Sequence, residues 1–160
     1  YIDEIIRTTP SLKFVLISGI RNNLSTQQMI AVKERIDFIE SSGIKVVVFK
    51  PHVLSGFLLK QCYSRPLRPS KKQCEFDNTI RNNILTSFEP FVNYISISNS
   101  KTLFFDPNSI YCKNNKCSFL HNGLPLLRDK GHYSLHGSKE VASDFVNWAK
   151  LNLPDIVDPL

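Results

Sequence analysis

Residues 13–49 read KFVLISGIRNNLSTQQMIAVKERIDFIESSGIKVVVF, and their patterning decides the fold class. Lys13 to Ser18 is a short apolar run that stops at Gly19, the pattern of a buried strand feeding a loop over Gly19 to Asn23. Met29, Val32, Ile36 and Ile39 then recur at spacings of three, four and three, which puts them on one face of a helix over about Thr26 to Ser41. Ser25 and Gln28 have the spacing of a capping box at its start, and Gly43 suits the C-cap at its end. Ile44 to Phe49 is β-branched and nearly all apolar, as a strand covered on both faces must be. Strand, helix and strand joined by short connections form a βαβ unit, with a parallel pair and a right-handed crossover. The expected fold class is therefore α/β with a central parallel sheet flanked by helices.

Downstream the pattern changes. Residues 51–76 hold three prolines, two cysteines and five basic residues, Lys60, Arg65, Arg68, Lys71 and Lys72. Such a stretch reads as one long loop, of the kind that carries function or insertions. Asp77 is placed to cap a second helix over about Asn78 to Phe88. Tyr94 to Ser98 (YISIS) alternates and reads as a strand, and Phe104 to Cys112 reads as irregular. Asn122-Gly123 between two short apolar runs, Cys117 to His121 and Leu124 to Leu127, signals a hairpin with a type I′ turn. A last helix is expected from near Ser134 to about Leu151, with Val141, Phe145 and Trp148 as its apolar stripe.

The chain has 160 residues, which suits one domain over residues 1–160. Hydrophobic residues make up 42% and charged residues 21%, ordinary globular usage that argues against a disordered tail. No apolar run approaches the roughly 18 residues of a membrane span. The formal net charge is +6. No phosphate loop, dinucleotide fingerprint or nucleic-acid module occurs, so no nucleic-acid partner and no cofactor are expected. The acid-free stretch from Lys60 to Lys72 has the charge to hold anionic glycan or phospholipid head groups, or to stand solvated.

Four cysteines fall into a C-x11-C pair, Cys62 and Cys74, and a C-x4-C pair, Cys112 and Cys117. Neither has zinc-finger spacing, and no metal is expected. Two disulfides and four free thiols both remain open readings. The two local bridges, Cys62–Cys74 and Cys112–Cys117, are preferred because each closes a short polar loop. Bridges would place the domain in an extracytoplasmic compartment: lumenal, extracellular or periplasmic. Asn23-Leu24-Ser25 is a glycosylation sequon, but Ser25 also serves as the helix cap.

The chemistry is concentrated in Arg128-Asp129-Lys130-Gly131-His132-Tyr133-Ser134. Asp129 and His132 stand three residues apart in a tight turn before a capped helix. A carboxylate bonded to Nδ1 fixes the imidazole tautomer and leaves Nε2 as a general base for a hydroxyl. The other histidines carry weaker signals. His52 follows Pro51 at a strand end, where the ligand crevice of a parallel sheet lies. His121, beside the Asn-Gly turn, and His136, in the first turn of the last helix, read as solvated.

The block Asp129-x-x-His132-Tyr133-Ser134-x-x-Gly137 before a final amphipathic helix resembles the last block of the SGNH (GDSL-like) hydrolases and acyltransferases. The chain is similar to one branch, the SGNH domain that follows a membrane acyltransferase-3 domain in carbohydrate O-acyltransferases. The shared order is Ser18-Gly19-Ile20-Arg21, then Gly43-Ile44, then Val46-Val47-Val48 with Pro51, a cysteine-bearing loop, a late cysteine pair, Asn122-Gly123-x-Pro-Leu, and the Asp129/His132 block. The similarity runs over roughly residues 10–150.

The resemblance implies a flavodoxin-like SGNH sandwich and a Ser-His-Asp triad that moves an acyl group to or from a carbohydrate hydroxyl. His132 would be the base and Asp129 its orienting carboxylate. Gly19 and Asn22 would be the oxyanion donors, although the family's Gly-x-Asn-Asp is here one residue longer, and Arg21 would sit where it can face developing negative charge. The family nucleophile is the serine of a Gly-Asp-Ser block after the first strand, and no Gly-Asp-Ser occurs in the chain. Ser18 precedes the Gly/Arg loop and reads as a strand-end hydroxyl. The expectation is a domain incomplete at its N-terminus. Its serine and the membrane acyltransferase domain of the same polypeptide would lie upstream of Tyr1, and the chain alone would be inactive. The rival expectation is a non-catalytic secreted module that keeps the fold and binds a glycan or a partner.

Overall fold

The computed structural model describes residues 2–63, 69, 73–98, 100–113 and 116–154. They fall into two compact units, one of residues up to Pro51 together with Leu85–Asp106, the other of His52–Ile84 and the residues from Pro107 onward.

The first unit is built on the βαβ segment. Strand β1 (Phe14–Ile17) pairs in parallel with β2 (Lys45–Phe49), from Phe14 opposite Lys45 to Ile17 opposite Val48. Helix α2 (Thr26–Ser41) makes the crossover. Both halves of its capping box are present: Gln28 N–H donates to Ser25 Oγ, and Ser25 N–H donates to Gln28 Oε1. Gly43 leaves the helix at φ +77°, a backbone that glycine adopts without Cβ strain.

The central strand is β2, whose Val46, Val47 and Val48 are fully buried. Val46 and Val48 meet Ile36 and Ile39 of α2 and Phe88, Phe91 and Ile95 of α3 (Asn78–Ile97), with Ile6 from a short N-terminal helix, α1 (Ile2–Thr8). Each such side chain contributes about 1.5–3 kcal/mol on leaving water. Leu16 is 45% exposed and the other three residues of β1 are only half-buried, with Val15 and Ile17 packed against the core, contrary to the expected buried strand.

Two expectations fail together. Helix α3 runs from Asn78 to Ile97 and takes in the YISIS segment, which is no strand. Spacings of three and four link Phe88, Phe91 and Ile95 as one buried helical face, while Ile97 is 84% exposed. The alternation of serine and isoleucine is coincidental: Ser96 and Ser98 turn their hydroxyls back onto the carbonyls of Val92 and Ile95. The helix also carries Pro90, which forgoes the bond to the Thr86 carbonyl. The third parallel strand is instead β4 (Leu103–Phe105), which overlaps the start of the stretch that read as irregular and is paired from Val47–Leu103 to Phe49–Phe105. Three residues are too few to show a period.

The second unit holds three short antiparallel strands, β3 (Glu75–Phe76), β5 (Cys112–Lys113) and β6 (Lys116–Ser118), and the hairpin β7 (Leu120–His121) with β8 (Leu124–Pro125). Asn122 and Gly123 take φ of 51° and 75°, the paired positive values of a type I′ turn. Helix α4 (Leu135–Asn152) closes the unit, capped by Ser134. Of the expected stripe, Val141 is buried; Phe145 and Trp148 are half-buried and stack on each other at 5.6 Å. Both local disulfides, Cys62–Cys74 and Cys112–Cys117, are formed. The core gathers Val53, Leu59, Phe119, Leu126 and Leu127 around the first bridge. Of the basic loop, Arg65, Arg68, Lys71 and Lys72 lie outside the described residues.

Candidate active site

The loop from Arg128 to His132 is closed at its neck by main-chain bonds. Arg128 N–H donates to the His132 carbonyl and Ser134 N–H to the Leu126 carbonyl, both at 2.9 Å, around a Leu127–Tyr133 bridge. Inside the loop Asp129 folds back as an Asx turn. Its Oδ1 accepts from the N–H groups of Gly131 at 2.9 Å and His132 at 2.8 Å. Its Oδ2 accepts from His132 Nδ1 at 2.8 Å. These main-chain donors, Gly131 first and His132 next, hold the Asp129 carboxyl far below the usual carboxylate range.

The consequence for His132 is a fixed tautomer. Nδ1 carries the proton toward Asp129, so the Nε2 lone pair is turned outward. Its side chain is 72% exposed, open to an incoming group. Arg128 Nε stands 3.6 Å from Asp129 Oδ2 on the solvent side.

The tip of the loop is braced from below by residues that follow β2. His52 donates from Nε2 to the Gly131 carbonyl at 2.6 Å, and its ring lies 4.6 Å from that of Tyr133. Ser55 N–H donates to the Lys130 carbonyl at 2.7 Å. The brace is itself tied down, because Val53 N–H donates to Oδ1 of the fully buried Asn108 at 2.8 Å. Burial lowers the pKa of His52, outweighing the opposite effect of its bond to the Gly131 carbonyl, and so favours the neutral ring as the donor. Sequence reading placed His52 near a crevice but assigned it no partner. A contact across 79 residues leaves no local pattern.

Ser134 and Gly137, the other members of the block, act on structure. Ser134 Oγ accepts from Gly137 N–H and donates to the Pro125 carbonyl. A Cβ on Gly137 would lie 1.9 Å from the Leu126 carbonyl oxygen, so only glycine lets α4 come this close. Beside the loop lies a hollow of about 400 Å³, with Leu58, Tyr63, Pro125 and Leu127 as apolar walls and Lys60 and Arg128 as cations.

Gly19, Arg21 and Asn22 belong to the first unit, where they line an open hollow of about 620 Å³ together with Gln28. Gly19 has φ +78°. Asn22 donates from Nδ2 to Ser87 Oγ at 3.2 Å, which commits one of its two amide hydrogens.

A histidine oriented by a carboxylate, with its second ring nitrogen outward, has the geometry that a general base for a hydroxyl requires. Residues 3–147 match the family described as "SGNH domain (fused to AT3 domains)", and the chain belongs to that family. Among solved structures, it is similar to the periplasmic domain of a lipopolysaccharide acetyltransferase from Salmonella ser. Paratyphi A, with a TM-score of 0.64 and 18% identity. The match covers 92% of this chain and 59% of that one. No curated protein matches.

Proposed function

We propose that this chain supplies the base and its orienting carboxylate to an O-acyltransferase or acyl esterase acting on carbohydrate hydroxyls. The observation that carries the reading is the Asp129–His132 pair, with Nδ1 bonded and Nε2 outward. The two serines that bond to or flank the loop are already engaged. Ser134 is committed to its cap, and Ser55 exchanges bonds with the main chain of Phe57. In this reading a serine from outside these 160 residues gives its proton to His132 Nε2 and attacks the acyl carbonyl. The tetrahedral intermediate collapses as Nε2 passes that proton to the leaving oxygen. The acceptor hydroxyl then takes the acyl group by the reverse sequence. Gly19, Asn22 and Arg21 are the proposed oxyanion donors. The hollow walled by Leu58, Tyr63 and Leu127 and edged by Lys60 and Arg128 suits an acceptor with a sugar face and an anionic group.

Two disulfides favour an extracytoplasmic setting, as does the periplasmic origin of the structural neighbour. Among the described residues no helix is long and apolar enough to cross a membrane. A membrane acyltransferase domain in the same polypeptide is the proposed partner, in keeping with the family's fusions. The test is His132→Ala in the full-length protein. Acyl-ester turnover should vanish while folding is kept, and retained turnover refutes the reading.

A further inference from the structure

We propose that His121, His136 and Glu140 form a binding site for a divalent transition-metal ion of the zinc class. It lies outside the Asp129–His132 pair and does not depend on the activity proposed for it. On sequence both histidines read as solvated. Instead their side chains are only 24% and 22% exposed, and their rings stack 5.8 Å apart. His121 lies on β7 and His136 on α4, fifteen residues away, a spacing that matches no metal motif.

Hydrogen bonding prepares the donors. His136 Nε2 donates to the His121 carbonyl at 3.1 Å, so the neutral ring presents Nδ1 as a lone pair. That Nδ1 faces Glu140 Oε1 at 3.8 Å, one acceptor opposite another. His121 Nδ1 is closed off from water and has no hydrogen-bond partner among the described residues. Glu140 Oε2 is 2.9 Å away, but out of line for a hydrogen bond. Two imidazole nitrogens and both carboxylate oxygens thus converge on one spot, as the ligands of a cation do. One donor atom from each residue falls within 4.8 Å of the others. Ligands at 2.0–2.1 Å around a tetrahedral ion stand about 3.3–3.5 Å apart, so small side-chain rotations suffice. Two imidazoles and a carboxylate suit zinc or its neighbours over calcium or magnesium, and the fourth position is left to water. The His136-to-carbonyl bond is the kind of outer contact that orients a ligating imidazole. An ion here would tie the β7–β8 hairpin to the first turns of α4.

The test is calorimetric titration of the chelator-stripped, disulfide-bonded chain with Zn²⁺, followed by Co²⁺ with its visible absorption. One equivalent should bind and raise the melting temperature. Outer contacts alone are worth 10–100-fold in metal affinity, so His121→Asn, His136→Asn and Glu140→Gln should each weaken binding at least about tenfold. The Glu140→Gln side chain keeps size and helix propensity, so a folded variant is available for the comparison. No saturable binding by the stripped chain overturns the proposal. So does binding that survives all three substitutions, or that is lost in His132→Ala instead.

Discussion

His52 Nε2 donates to the carbonyl of Gly131, so a residue three positions beyond Phe49 in the chain holds the tip of the loop that carries Asp129 and His132. The imidazole is half-buried, burial favours its neutral form, and its Nε2 proton is committed to that carbonyl. The sign of its pH effect follows. Its folded pKa lies below the ordinary value of 6.5, so the unfolded chain takes up the proton first as pH falls. Stability is full above pH 6.5 and declines from there down to the folded pKa, by at most about 1.4 kcal/mol per pH unit. Urea unfolding between pH 7.5 and 5 should show the decline, and His52→Gln should flatten it. An equal slope in the variant would remove His52 as its source. His52→Ala should in addition cost about 1–3 kcal/mol, by stripping the Gly131 carbonyl of its donor.

Gly137 is held against Leu126 by backbone, not by a movable side chain. Gly137→Ala should therefore be severe although alanine favours helices. The 1.9 Å approach to the Leu126 carbonyl forces α4 outward and disturbs the Ser134 cap and the neck of the loop. We expect a loss of about 3 kcal/mol or more, beyond the usual range for overpacking, read as a fall in melting temperature. A change under about 0.5 kcal/mol would show that the helix shifts freely.

These two residues also show what the sequence discloses. The βαβ segment was legible because helix and strand periods, the capping box and Gly43 all agree over residues 13–49. The pairing of Asp129 with His132 was legible because it closes within one turn. The brace from His52 and Asn108 was not, because its contacts join segments far apart in the chain. The extent of α3 was misread for a different reason: a five-residue serine–isoleucine alternation fits a strand as well as a helix end. Only packing of Phe88, Phe91 and Ile95 against Val46 and Val48 settles it. The third parallel strand was missed because Leu103–Phe105 is too short to carry a pattern.

The Cys62–Cys74 bridge closes the basic loop, and both sulfurs sit among the buried residues of the second unit. Its sequence separation of 12 predicts about 3 kcal/mol from chain entropy lost in the unfolded state. The double variant Cys62→Ala/Cys74→Ala should lower unfolding free energy by about 2–4 kcal/mol, and the effect of reductant on the unaltered chain should include this amount. Denaturant midpoints with and without reductant check both statements. A double variant as stable as the parent would refute the entropic account.

Asp129 is solvent-accessible, yet its carboxyl is held far below the usual carboxylate range, first by Gly131 N–H and then by His132 N–H. Its contribution to stability is present above the unfolded value of 3.8 and is lost only as pH falls through the lower folded value. Carboxyl carbon NMR should show Asp129 still ionised at pH 3, where reference aspartates are mostly protonated. A midpoint near 4 would contradict the hydrogen-bond assignment. Asp129→Asn separates geometry from charge. The amide oxygen can still accept from the main chain, but its NH2 group then faces Nδ1. Nδ1 must accept, the proton moves to Nε2, and the outward lone pair disappears. In the full-length protein acyl turnover should fall about 10⁴-fold, with the fold and substrate affinity little changed. Nitrogen NMR of His132 in the same variant should show the tautomer reversed. A variant that keeps turnover with the reversed tautomer would rule out His132 as the base.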